Sequence, residues 1–186
     1  MADLDDYSGP FDPDLKWQDF SKDLLIRLLK VTSNLYNGMP GFLYNAIRDR
    51  YGDQVAMEIS DEAYAIGTQM QYRYLKRELK LGNKVEDCLK FQQFGVDVAN
   101  MDVQCELKNE NLGIVTIRNS TGVLYWERHN QPEMWEWACH QLAWREWQNV
   151  AHWINPKIKC TPLKLAPRTS KDDPCCQWEY RLEPEA

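Results

Sequence analysis

Thiols and an imidazole are the groups in this sequence best suited to chemistry, and they concentrate in two segments. Cys139 and His140 are adjacent within a tryptophan-rich stretch, and Cys176 lies near the end of the chain. A cysteine acts as a nucleophile or metal ligand in its thiolate form, which needs a base or a cation nearby. We therefore expect Cys176 or Cys139 to be the nucleophile or a metal ligand and His140 the base. Arg168 is a cation that could stabilise the thiolate, and we expect it to bind the substrate.

Each of these residues also has a purely structural interpretation. A buried cysteine behaves as a small apolar side chain. A core histidine is often satisfied by a backbone carbonyl, and this interpretation competes with a base role for His140.

Tryptophan is concentrated where a long helix is predicted. Six of the eight tryptophans lie between residues 126 and 153, and Pro132 is a suitable first residue for a helix that ends at about Ile154. At 3.6 residues per turn, one stripe carries Trp137, His140, Trp144 and Trp147. The helix is either a core helix buried on several sides or the wall of a cavity. In the second case Trp137 and Trp144, with Trp178 from the last strand, bind the substrate.

The remaining cysteines are assigned by strand alternation. Cys105 is expected to point inward, and Cys175 to face away from Cys176 and to be accessible to solvent. If the last strand lies next to the sheet of the first three predicted strands, then Cys105, Cys139 and Cys176 converge between sheet and helix. A metal or cluster site that adds Cys160 is compatible with the sequence, but the spacing does not require it. The metal is therefore unknown, and no cofactor is indicated.

The first half of the chain is predicted to be helical. Apolar residues recur at helical spacing after Ser21, a suitable N-cap, and the segment Asn37–Gly41 (NGMPG) is expected to break that helix. Further helices are predicted from about Gln54 to Leu81 and from Val85 to Phe94.

The second half shows the period-two alternation of strands. Strands are predicted at 101–107, 114–118 and 123–127, forming a meander, and at 157–165 and 175–182 after the long helix. Because helices and strands are segregated, the predicted class is α+β: a helical N-terminal half packed on an antiparallel sheet with one long Trp-rich helix.

Composition limits the function. The 186 residues carry 22 Lys and Arg against 28 Asp and Glu, a formal charge of −6. This charge disfavours nucleic acid and anionic membranes as partners. No apolar run or signal peptide is recognisable, so a cytoplasmic location is expected. We predict an acidic N-terminal arm (1–18) and a single α+β domain (19–186), with a helical part (19–99) and a sheet-plus-helix part (100–186).

Short motifs along residues 20–183 resemble a known family. They are Asn37-Gly38-Met39, Tyr51-Gly52 with Ala56, Arg73, Lys76-Arg77, VQCEL at Cys105, Asn155-Pro156 and the ending DDPCCQWEYRLE. In these features the chain is similar to the L-2-amino-thiazoline-4-carboxylic acid hydrolase-like family of prokaryotic proteins. This ending also resembles the small-molecule-binding domain associated with vinyl reductases. The resemblance implies hydrolysis of a C–N bond and a C-terminal signature of Asp173, Cys176 and Gln177.

Together these observations favour a cytoplasmic prokaryotic enzyme. It is expected to hydrolyse a C–N bond of a small heterocyclic or amide-bearing molecule in a Trp-lined cavity. The alternative is a non-catalytic small-molecule-binding or accessory subunit of a catabolic enzyme system. A third interpretation is an assembly protein whose tryptophan surface packs against a partner, and a homo-oligomer is compatible with each of them.

Overall fold

The computed structural model describes residues 4–183. The first three residues of the predicted N-terminal arm and the last three of the predicted domain lie outside that range. The helical half consists of α1 (Lys22–Tyr51), α2 (Asp53–Glu78) and α3 (Val85–Phe94). Helices α1 and α2 pack against each other as a hairpin (hereafter the α1–α2 hairpin), joined at Gly52, whose φ of 87° is readily available only to glycine.

A four-stranded sheet forms the centre of the second half. Its strands are β1 (Asp102–Asn109), β2 (Leu112–Asn119), β3 (Ile158–Lys164) and β4 (Cys176–Leu182). They are antiparallel throughout, in the order β1-β2-β4-β3. The last strand of the chain therefore occupies an interior position. The molecule is an α+β protein, as the sequence predicts.

Between β2 and β3 the chain forms three helices. These are α4 (Thr121–His129), α5 (Pro132–Trp137) and α6 (Trp144–Ile154), and the π-helical segment Ala138–Ala143 joins the last two. Helices α3 and α6 cover one face of the sheet. The core between them includes Val115, Ile117, Ile158, Cys160, Trp178 and Tyr180. These residues alternate along their strands, which is the period-two pattern of a sheet buried on one face.

The predicted break at Asn37–Gly41 is wrong. Helix α1 continues through this segment with Pro40 inside it. Proline cannot donate the backbone hydrogen bond that residue 40 would give to the carbonyl of residue 36. Neighbouring structure compensates: Asn37 donates from Nδ2 to the Asp97 carbonyl at 2.9 Å, which ties this part of α1 to the chain before β1.

The predicted third strand over 123–127 is also wrong, and with it the three-stranded meander. These residues belong to α4, because the edge of β2 that a third strand would pair with is occupied by β4. Val123 instead packs into a small cluster with Ala166 and Cys175, against which Trp126 lies. Tertiary pairing thus overrides the local strand propensity.

The π-helical segment changes which tryptophans share a face of the helix, so the predicted stripe is wrong at Trp144. A π turn accommodates more residues than an α turn, so it rotates α6 relative to α5. Trp137 is buried, whereas Trp144 is 48% exposed and has left the stripe. Trp147 instead stacks on Trp178 of β4, with ring centroids 4.7 Å apart.

The outer surface of the α1–α2 hairpin is unusually apolar. Large exposed side chains on it include Val31, Leu35, Ile59 and Ile66. Exposed apolar side chains in such number are characteristic of proteins that contact another molecule. Within residues 4–183, no helix has both the length and the apolar character needed to cross a bilayer.

The acidic N-terminal segment returns to the start of α1. The Leu4 N–H donates to the Asp19 carbonyl, and the Ser21 N–H donates to the Leu4 carbonyl, both at 2.9 Å. The segment between them is mostly exposed.

Tyr180→Phe is expected to destabilise the fold. The Gln92 side chain donates from Nε2 to the buried Tyr180 hydroxyl at 2.7 Å, and the variant leaves that donor buried without its acceptor. Urea denaturation should show a free energy of unfolding lowered by about 1–3 kcal/mol. Tyr51→Phe, at an exposed tyrosine, is the control and should leave stability unchanged. Equal stability of the two variants would contradict this account of the core.

Candidate functional site

A cavity of about 600 Å³ lies where the α1–α2 hairpin meets the sheet. Its floor is formed by the end of β2 and the start of β4, where Ile117 pairs with Cys176. Helix α4 and the π-helical segment close another side, and α1 lies opposite. The cavity therefore depends on every layer of the fold.

Aromatic side chains dominate the wall of the cavity. They are contributed by all the surrounding helices and by β4: Tyr36, Phe42, Tyr44, Tyr64, Phe91, Tyr125, Trp126, Trp137, Trp147 and Trp178. Trp137 stacks on Tyr44 with ring centroids 5.6 Å apart, which joins the long helix to α1. Gly38, Pro40 and Gly41 contribute a stretch of wall with small side chains.

Four of the eight sequence-predicted site residues line the cavity: Cys139, Cys176, Trp137 and Trp178. The other four, Cys105, His140, Trp144 and Arg168, do not. Cys105 sits on β1 with its Sγ 3.8 Å from the Leu89 carbonyl, away from the cavity. The predicted convergence therefore holds for Cys139 and Cys176 but is wrong for Cys105.

His140 and Arg168 make structural contacts. The His140 Nε2 lies 2.6 Å from the Ala166 carbonyl, which can only accept, so this nitrogen carries the proton. Arg168 donates from Nε and Nη2 to the two carboxylate oxygens of Glu127, each at 2.7 Å. Both side chains thus fasten the loop before β4 to the helices, an arrangement expected of residues that hold the fold together.

The thiols near the cavity are protonated at neutral pH. Burial raises the pKa of Cys176 to about 12 and that of Cys139 to about 12. The pKa of Cys175, which lies near both, is also raised by burial. The expected solvent access of Cys175 is wrong: the residue is fully buried, and its Sγ donates to the Arg118 carbonyl at 3.2 Å. The charge of Arg168 acts to lower the pKa of Cys175, but burial outweighs it, and no cation or base among the described residues acts in this way on Cys139 or Cys176.

The cysteines do not form a metal centre. Over residues 4–183, no three His, Cys, Asp or Glu side chains are grouped so that they would hold a metal ion. All six cysteines are free. The four-cysteine cluster that the sequence permits is therefore not assembled in this part of the chain.

Two carboxylates line the cavity that the sequence analysis did not identify. Glu146 is only 6% exposed; its Oε1 accepts from Arg145 Nε at 3.0 Å, and its Oε2 is buried without a hydrogen-bond partner. Asp97 accepts from Gln71 Nε2 at 3.3 Å, and burial raises its pKa. The sequence contains no motif for either residue, although the apolar residues Leu142 and Val150, four positions before and after Glu146, indicate that it shares their face of the helix.

The fold and the cavity together define an α+β protein in which a helical hairpin and a Trp-rich helix enclose an aromatic-walled chamber against a four-stranded sheet. The chain belongs to a family of unknown function, DUF6125, which matches residues 18–182. No curated protein and no solved structure matches it.

The raised thiol pKa values predict that stability falls in alkali. The thiols of the unfolded chain ionise near pH ~8.5, whereas the folded protein keeps Cys139, Cys160 and Cys176 protonated up to about pH 12. Their contribution is therefore complete below pH ~8.5 and is lost progressively as the pH rises towards the folded values.

Between pH 7.5 and 9.5, urea denaturation should show a loss on the order of 1 kcal/mol for each such thiol. Cys176→Ala should reduce that pH dependence by one such contribution. A stability that does not change between these two pH values would contradict the burial of the thiols.

Proposed function

We propose that this protein binds an apolar small molecule in the cavity between the α1–α2 hairpin and the sheet. The observation that carries the proposal is the aromatic wall to which helices α1 to α6 and strand β4 all contribute, around a chamber of about 600 Å³. This volume and this mostly apolar lining with a few polar groups are typical of small-molecule sites. In this function the protein serves as a binding or accessory subunit of a catabolic enzyme system.

The energetic argument concerns the cost of the chamber. A chamber bounded by aromatic rings forgoes the dispersion contacts that a filled core would gain. A protein that retains it at the junction of all its layers is stabilised when an apolar ligand restores those contacts. Trp137 and Trp178 supply flat apolar surface for such a ligand.

A second candidate function is the hydrolysis of a C–N bond in a small heterocycle or amide. The observation that favours it is the presence of two thiols, Cys139 and Cys176, on the cavity wall. The resemblance to the L-2-amino-thiazoline-4-carboxylic acid hydrolase-like family supports the same activity. We rank it second, because burial keeps both thiols protonated and because the Nε2 of His140 is engaged by a carbonyl.

The location and the partners are part of the proposal. Six free cysteines support a reducing compartment, and the net charge of −6 supports a partner other than nucleic acid. We propose a cytoplasmic protein of a prokaryote. Any association into an oligomer or with an enzyme would involve the exposed apolar surface of the α1–α2 hairpin.

Binding is tested with 1-hydroxymethylnaphthalene, an aromatic probe that a chamber of this volume can hold. We expect saturable quenching of tryptophan fluorescence, since Trp137, Trp147 and Trp178 line the cavity. Trp137→Ala should weaken binding by about tenfold, since it removes a stacked wall residue. Trp144→Ala, at a tryptophan outside the cavity, is the matched control and should bind like the wild type. Absence of saturable binding to the wild type, or equal weakening by both variants, would count against the proposal.

Hydrolysis is tested with L-2-amino-thiazoline-4-carboxylate. If binding is the function, product should form no faster with the protein than in buffer alone. The contrary result would be turnover that is lost in Cys176→Ser or Cys139→Ser and retained in Cys105→Ser, whose thiol lies outside the cavity. That pattern would establish the second candidate in place of the first.

A further inference from the structure

The cavity contains a buried acceptor for which the protein supplies no donor. The Glu146 Oε2 is buried and has no hydrogen-bond partner, while the same side chain lines the cavity. A carboxylate oxygen that is withdrawn from water and has no partner is unfavourable, so such groups are rare unless a bound water molecule or a ligand completes them.

The neighbouring arginine does not complete the carboxylate. Arg145 donates from Nε to Oε1 of Glu146 and from Nη1 to the exposed carboxylate of Asp61. The guanidinium is thus shared between two acids and turned towards the surface, where it is 40% exposed. The second oxygen of Glu146 receives no hydrogen bond from Arg145 or from another described side chain.

The other charged side chains on the cavity wall also favour a positively charged ligand. Of the described lining residues, three are charged: Asp97, Glu146 and Arg48. The one cation, Arg48, is paired with Asp49, Nη2 to Oδ1 at 3.0 Å, and a third of its side chain is exposed. Two largely enclosed carboxylates therefore face one neutralised surface cation, and the field in the chamber favours positive charge.

The aromatic wall favours the same kind of ligand. The faces of tryptophan and tyrosine rings carry negative charge density and attract ammonium and guanidinium groups. A cation in this chamber would meet aromatic rings together with a carboxylate acceptor, whereas an anion would meet the acidic side chains of Glu146 and Asp97.

From these observations we infer that the cavity takes an organic cation: an aromatic or aliphatic body that carries an ammonium or amidinium group, which donates to the carboxylate of Glu146. The inference rests on the proposed binding function and specifies its ligand class. Glu146 is a binding residue in this scheme, and the aromatic wall holds the apolar body.

Three probes that share one ring system test the inference at pH 7 by isothermal titration calorimetry. They are 1-aminomethylnaphthalene, which is a cation, 1-hydroxymethylnaphthalene, which is neutral, and 1-naphthoate, which is an anion. The amine should bind about tenfold more tightly than the alcohol, and the acid should bind most weakly, since a charge-assisted hydrogen bond is about twice as strong as a neutral one.

Glu146→Gln keeps the shape and removes the charge. It should weaken binding of the amine by about tenfold and change that of the alcohol by less than about twofold. Asp61→Asn, which alters the other acid bound to Arg145, is the matched control and should retain the preference for the amine. Thermal unfolding of each variant verifies that the fold is intact.

The outcomes distinguish a failure of the cation inference from a failure of the binding function. If the probes bind without preference for the amine, or if Glu146→Gln leaves that preference unchanged, the carboxylate is satisfied by water and the cation inference is overturned while the binding function stands. If none of the three probes binds to the wild type, the binding function fails and the inference fails with it.

Discussion

The stack of Trp147 on Trp178 is the interaction on which the rest of the structure depends. Trp178 belongs to the interior strand β4 and is almost wholly buried, so it fixes the centre of the sheet. Trp147, in the first turn of α6, also lies nearly parallel to Tyr180, with ring centroids 6.1 Å apart. This contact sets the position of α6, and the π-helical segment before it sets which side chains α6 turns towards α2. The chamber is the space left between the helices and the sheet once the Trp147–Trp178 stack and the π-helical segment have fixed α6.

Much of the fold was predictable because burial leaves a periodic signal. Helix α3 and the strands around Cys105 and Trp178 could be located from their spacing, since the apolar side chains on one face of each belong to the core or pack against it. The failures have a shared cause. Residues 123–127 have strand propensity, and Asn37–Gly41 contains helix breakers, but long-range contacts decide both segments. A π-helical segment cannot be inferred from a 3.6-residue period, so the predicted stripe places Trp144 on the wrong side of its helix.

Half of the site residues that the sequence predicts do line the cavity. Reactive residue types drew attention to cysteine and histidine, and the cavity does include Cys139 and Cys176. Their environment, however, is a matter of desolvation, which depends on the neighbours that the fold supplies. The carboxylates lacked any motif, because Glu146 and Asp97 acquire their character only when separate elements enclose them. Enclosure, more than residue type, distinguishes this site.

The small-residue stretch of α1 has an evolutionary consequence. A Cβ atom at Gly41 would meet no other atom within 4 Å, so this position tolerates a side chain where it borders the chamber. Replacing a glycine inside a helix with alanine also favours the helix by about 1 kcal/mol. The size of the chamber is thus adjustable at a position outside the core cluster that holds the sheet. Descendants of one ancestor can diverge in what they accommodate while sharing a single scaffold.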